Sequence, residues 1–189
     1  MKKILIAIDN EFTRETYIEV FKSENFEVLS AKNGKEAFNL AKDELPDIVL
    51  ADIALSKMGG FELLQAIRKE PSTRIIPVII FTQIERKKDR MKAIELEAKD
   101  FVSSATVTPA EVVRRVRIAL GEQKTYRIFP QKHLYDAKEL ITDLGYTYDF
   151  KCPDCGNDLV FHLIRDLSKG KKYFILSVIC PKCNKEIIK

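Results

Sequence analysis

Short apolar runs alternate with segments of three-to-four-residue apolar spacing through the first two thirds of the chain. Ile4–Ile8, Phe26–Ala31, Ile48–Ala51, Val78–Phe81 and the shorter Asp100–Val102 read as strands. The central runs lack polar alternation, the mark of strands buried on both faces of a parallel sheet. Between them Tyr17, Ile18 and Phe21, then Ala37, Phe38, Leu40 and Ala41, then Phe61, Leu63, Leu64 and Ile67 fall on single helical faces. Asn33-Gly34 and Gly59-Gly60 open two of these helices, Pro46 closes one segment, and Pro71 and Pro77 bracket a turn. Arg86–Glu97 reads as a charge-rich helix with a thin apolar face. Pro109 starts a last helix with Val112, Val113, Val116 and Leu120 inward and Gly121 as its stop. Five such βα units predict an α/β domain over residues 1–121, a doubly wound five-stranded parallel sheet.

The pattern then changes. Leu134, Ala137, Leu140, Ile141 and Leu144 keep helical spacing up to Gly145, predicting a helical connector over residues 122–150. Residues 151–189 predict a small β domain, with Leu159–Ile164 and Tyr173–Ile179 as strands around a turn at Lys169-Gly170-Lys171. Cys152-Pro-Asp-Cys155 and Cys180-Pro-Lys-Cys183 stand at either end, 24 residues apart. Four thiolates on two turns suit a tetrahedral ion of borderline softness. A stretch this short, with few large apolar side chains, needs such an ion to fold. This arrangement resembles a zinc ribbon, which implies one structural Zn²⁺ on Cys152, Cys155, Cys180 and Cys183. With all four positions filled by cysteine there is no open site for catalysis. A rubredoxin-like iron centre, and hence electron transfer, is the rival reading. His133 and His162 are read as ordinary surface or strand residues.

Composition narrows the class. With 46% apolar and 32% charged residues the chain is globular rather than disordered. Its apolar runs are too short to span a bilayer, and Met1-Lys2-Lys3 leads directly into a strand without a signal region. Paired Cys-x-x-Cys motifs fit a reducing compartment, so the expectation is a cytoplasmic protein without membrane partners. The net charge of +4 falls wholly after Glu122, where twelve Lys or Arg meet eight Asp or Glu. Lys169, Lys171, Lys172, Lys182 and Lys185 are candidates for DNA phosphates, but no recognition helix is visible, so a solvated surface is favoured.

The chemistry gathers at strand ends. Asp9, Asp52 and Thr82 each follow or close a predicted strand, where open α/β sheets carry their sites. Lys3-Ile4-Leu5-Ile6, Asn33-Gly34-Lys35-Glu36-Ala37, Pro46-Asp47-Ile48-Val49-Leu50-Ala51-Asp52 and Ile76-Pro77-Val78-Ile79-Ile80-Phe81-Thr82 together resemble the flavodoxin-like receiver domain of bacterial and archaeal two-component response regulators. The resemblance implies a phosphoacceptor at Asp52, Mg²⁺ at Asp9, Asp52 and Ala54, and a switch at Thr82 and Phe101. It also implies a protein partner such as a sensor kinase, and homodimerisation or docking on a face showing Arg90, Asp100, Arg114 and Arg117.

The chain departs from that family at several points. Ile8 replaces one of two acids, Ser104 replaces the lysine after the fifth strand, Ala105 a following proline, and Ser56 another proline. Glu11 and Lys57 are the nearest substitutes in sequence. A carboxylate attacking phosphorus needs its charge offset and the phosphoryl oxygens neutralised. Two carboxylates without the lysine therefore predict that Asp52 is not an ordinary phosphorylation switch. The expected function is that of an atypical, non-enzymatic response regulator that docks protein, with the ribbon as output or interaction module. The alternative is a phosphorylation-controlled regulator whose ribbon binds DNA.

Overall fold

The computed structural model describes residues 1–122, 125–128, 141–143, 145, 149–165 and 174–187. The chain divides into two compact units, Met1–Glu122 and Gln123–Lys189. In the first, β1 (Lys2–Ala7), β2 (Phe26–Ala31), β3 (Ile48–Asp52), β4 (Val78–Thr82) and β5 (Asp100–Ser103) form one sheet in the order β2-β1-β3-β4-β5. All four pairings are parallel. Every residue of β3 and β4 is buried, which explains their unbroken apolar sequence.

Alternate residues of these strands feed two cores. Val49, Ala51, Val78 and Ile80 pack with Ala37, Ala41, Leu63, Ile67 and Ala93 of α2 (Gly34–Glu44), α3 (Gly60–Lys69) and α4 (Lys87–Glu95). Ile48, Leu50, Ile79 and Phe81 pack with Tyr17, Phe21, Val112 and Val116 of α1 (Glu11–Ser23) and α5 (Pro109–Ala119). Side chains cap three helices: Asn10 accepts from the Thr13 amide, Asn33 from Glu36, and Thr108 from Glu111. Strand order reverses beside β1, so the crevice of the fold opens at the carboxyl ends of β1 and β3.

Two glycines hold that crevice tight. A Cβ on Gly60 would lie 2.2 Å from the Asp52 carbonyl oxygen, and one on Gly34 2.0 Å from that of Met58. Glycine is required at both positions by close backbone approach, not only by the turns the sequence suggested.

The second unit is an antiparallel sheet in the order β6-β7-β8-β9, made of Thr125–Ile128, Val160–Arg165, Phe174–Ile179 and Glu186–Ile187. β7 and β8 fall where the apolar runs predict them. β6 does not: it lies within the segment expected to be a helical connector. Thr125, Tyr126 and Ile128 suit a strand, and they pair with Ile164, Leu163 and Phe161, far away in sequence. Residues 141–143 are helical and Ile141 is buried, whereas Leu134, Ala137, Leu140, Leu144, His133 and the Lys169-Gly170-Lys171 turn lie outside the described residues. His162 sits on β7 and is buried. Among the described residues no helix is long and apolar enough to cross a membrane.

Candidate functional sites

Asp52 ends β3 and is only 5% exposed. Its Oδ1 accepts from the Ala54 amide at 3.1 Å. Burial pushes its carboxyl above the ordinary carboxylate range and the nearby charge of Asp9 adds to this, against the backbone amides of Ala54 and Ile53. Asp9 follows β1, and its Oδ2 accepts from the Ser56 amide at 3.2 Å. Ile8, where the resemblance expects an acid, is wholly buried in the α1/α5 core. Arg14 donates to the carbonyls of Ile8 and Asp9 at 3.0 and 3.1 Å, fixing this loop from α1.

Asp9, Asp52, Ala54 and Thr82 line one cleft of about 530 Å³, as the strand-end reading requires. Arg86 and Asp89 line it too, and neither was anticipated. Glu11 and Lys57, the substitutes suggested by sequence proximity, are not among the lining residues. Proximity along the chain was a poor guide because β4 and α4 lie beside β3 only in space. A signal was nevertheless present: Arg86 occupies the N-cap of α4 without a side-chain capping bond, followed by Lys87 and Lys88. Cations are disfavoured at that end of a helix, and a broken local rule often marks a functional position.

The donor set fits Mg²⁺, which uses one or two carboxylates and fills its shell with water or phosphoryl oxygens. Asp9 and Asp52 would be the protein ligands. Asp89 does not join them in a trio close enough to share one ion.

The predicted switch residues are engaged elsewhere. The Thr82 hydroxyl donates to the Ile84 carbonyl at 3.0 Å and accepts from the Ile84 amide at 3.2 Å. Ser104, at the lysine position, is tied to the Thr82 carbonyl through its amide at 2.9 Å and its hydroxyl at 3.4 Å. Phe101 is buried, with the Arg90 guanidinium 4.8 Å over its ring, and Arg90 also pairs with Glu85 at 2.7 Å.

The charged face expected from the resemblance therefore takes a different form. Arg90 is 5% exposed rather than solvated. Asp100 pairs with Arg115 at 3.0 Å, Arg114 with Glu111, and Arg117 with Glu24 at 2.7 Å. Arg90, Arg115 and Arg117 fasten their helices to neighbouring segments of the same unit, while the Arg114–Glu111 pair lies within α5.

The second site is the cysteine cluster. All four Sγ atoms lie within 4.8 Å of one another. Cys152–Cys183, Cys155–Cys180 and Cys155–Cys183 are separated by 3.6, 3.4 and 3.9 Å. Sulfurs about 2.3 Å from a central zinc would be roughly 3.8 Å apart along each tetrahedral edge, whereas a disulfide needs about 2.05 Å. The set fits a four-coordinate ion and not two disulfides. The two turns are near copies. The Cys152 amide donates to the Asn157 carbonyl at 2.8 Å and the Cys180 amide to Lys185 at 2.9 Å. Gly156 and Asn184 follow the second cysteine of each turn in the left-handed region, at φ 68° and 51°. Burial pushes the thiols of Cys180 and Cys183 above their ordinary range, so binding a metal there releases protons.

Comparisons with known proteins bear on the first unit. DivK of Brucella anthropi, a polar-differentiation response regulator, is 26% identical over 121 residues, 64% of this chain and 98% of DivK. The response regulator PleD of Caulobacter vibrioides is 33% identical over 101 residues, 53% of this chain but only 22% of PleD. A CheY-like receiver domain protein from Methanospirillum hungatei shares the fold with a TM-score of 0.58 at 24% identity, over 65% of this chain and 95% of that one. The family model of the response regulator receiver domain matches residues 4–117, from within β1 to within α5 and including the residues of the Asp52 cleft, and the chain belongs to that family.

Proposed function

We propose that this protein is an atypical response regulator that acts in signal transduction by docking another protein, and that its cysteine unit is a structural zinc ribbon serving as output or interaction module. Membership of the receiver family supports the signalling role. The observation that supports the atypical reading is that the Thr82 and Ser104 hydroxyls are both already bonded to nearby backbone. The Thr82 hydroxyl is satisfied by Ile84, and Ser104 is bonded to Thr82 with a neutral side chain. The fifth loop thus offers a phosphoryl group one neutral donor, about half as strong as a charge-assisted one. A ligand shifts a switch only by its differential affinity, so this loop has little to respond with.

The test is capture of a protein partner from native extract by the wild-type chain and by Asp52→Asn, with zinc and iron measured on the purified protein. Equal capture by both and one zinc per chain are the expected results. Capture abolished by Asp52→Asn would restore ordinary phosphorylation control, and bound iron would move the second unit to electron transfer. Specific retention of a DNA fragment would instead favour the regulator whose ribbon binds DNA.

A further inference from the structure

The receiver cleft contains a cation that the fifth-loop comparison overlooks. Asp9, Asp52 and Asp89 bring three carboxylates to its walls and Arg86 brings one positive charge. A Mg²⁺ ion on Asp9 and Asp52 would make the positive charges three as well, so the cleft would be neutral before any anion arrived. The lost acid at Ile8 and the missing lysine at Ser104 are both compensated in number, and from the same helix.

Three observations single out Arg86, whose side chain is exposed at the cleft. It lines the cleft around a buried carboxylate. It occupies a helix N-cap where its charge opposes the helix dipole, with Lys87 and Lys88 adding to the mismatch. Its neighbours are already committed: Arg90, one turn on, stacks over Phe101 and pairs with Glu85. Arg14, the cation on the other side of the crevice, is held by two backbone carbonyls.

We propose that Arg86 is the anion-binding residue of this cleft, holding the oxygens of a phosphoryl-type oxyanion seated against Asp52. The positive charge that the family places after β5 comes here from α4. Occupancy is accordingly registered by the first turn of α4, through the Glu85–Arg90–Phe101 contacts, while the β5–α5 loop stays still. This inference rests on the receiver reading of the cleft but not on the docking role proposed for the protein.

The experiment uses the full, metal-loaded chain with Mg²⁺ and beryllofluoride as probe, followed by fluorine and amide NMR, with circular dichroism to verify folding. Wild type should bind. Arg86→Gln should bind about tenfold to a hundredfold more weakly, the range expected when a hydrogen bond to a charged group is lost. Arg86→Lys should recover most of the affinity. Amide shifts should concentrate at residues 85–90 rather than 103–105.

Two further arms separate the sources of the anion. Inorganic phosphate reports a free ligand. Acetyl phosphate reports a covalent one: an Asp52 oxygen forms a bond to phosphorus as the bond from phosphorus to the acetyl oxygen breaks, and acetate leaves with the electron pair. Mass spectrometry would then show one added phosphoryl group, absent in Asp52→Asn. The proposal fails if wild type binds none of the three probes, if Arg86→Gln binds as wild type does, or if the shifts lie in the fifth loop. None of those results would alter capture of a protein partner, which tests the docking role separately.

Discussion

Both units bury hydrocarbon, but only the second gathers four cysteines beside it. The receiver unit encloses a five-stranded sheet between two hydrocarbon cores, with Phe21, Phe81, Ile4, Leu50 and Leu64 all fully buried. The cysteine unit centres on four sulfurs within 4.8 Å of one another. Its strands β7 and β8 bury Val160, Phe161, Ile164, Val178 and Ile179 but leave Ile175 and Leu176 exposed. Hydrocarbon burial spreads stability over dozens of side chains, so no single one is indispensable. A metal centre concentrates it at one point. The difference should show in how each unit fails.

The largest effect is expected from Cys180→Ser, or from a strong chelator. Structural zinc sites supply about 10–16 kcal/mol of apparent binding free energy, which is folding free energy. Hydrogen exchange should show residues 150–165 and 174–187 losing protection while residues 1–117 keep theirs. Loss of both units together would remove the contrast.

The receiver should be most sensitive where backbone touches backbone. Gly60→Ala forces a Cβ against the Asp52 carbonyl, and overpacking of this kind costs about 3 kcal/mol. Urea unfolding should record the loss in the receiver transition, with the cysteine unit unchanged.

Asp52→Asn should act in the other direction. Asp52 has a carboxyl pKa raised by burial and by Asp9, so the fold loses stability as pH rises from the ordinary carboxylate range through the raised value, above which the cost is complete. Removing the charge should stabilise the receiver by about 1 kcal/mol at neutral pH, as is common at functional positions. The gain should shrink as the pH falls through the raised pKa, where wild type takes up the proton itself. A gain independent of pH would assign it to packing instead of charge.

The smallest effect compares the two cysteine turns. Gly156→Asn introduces the residue that the other turn carries at its left-handed position, and the space beside Gly156 is open. It should cost about 0.5 kcal/mol, whereas Gly156→Val should cost about 2 kcal/mol, since a branched side chain resists positive φ. Thermal unfolding of the metal-bound protein measures both.

What could be read from sequence follows the same division. The receiver strands were legible because β3 and β4 are buried on both faces and so carry no polar residue until Asp52 and Thr82. The cysteine pairs were legible because two identical Cys-Pro-x-Cys turns stand out whatever surrounds them. β6 was hidden because four residues carry little pattern and their partners lie more than thirty positions away. Arg86 and Asp89 were hidden because their place beside Asp52 is set by the packing of β4 on β3 and not by their own neighbours. The burial of Arg90 was not legible because a charged residue looks the same in sequence whether it faces a partner or is stacked on a ring.

That burial of Arg90 has a consequence for motion. The buried residues of α4 are Arg90 and Ala93, whereas α3 buries Phe61, Leu63, Leu64 and Ile67. Among the described contacts, helix α4 is thus held by the Ala93 methyl group, the Arg90 guanidinium stacked on Phe101, the Lys92 ammonium over the Phe61 ring and the Arg90–Glu85 ion pair, with little hydrocarbon beneath it. Elements with few buried apolar contacts open ahead of global unfolding, as separate low-stability units. The receiver therefore has a helix that can lift away while its sheet and the remaining helices stay folded, and the anion-facing arginine sits at the first turn of that helix.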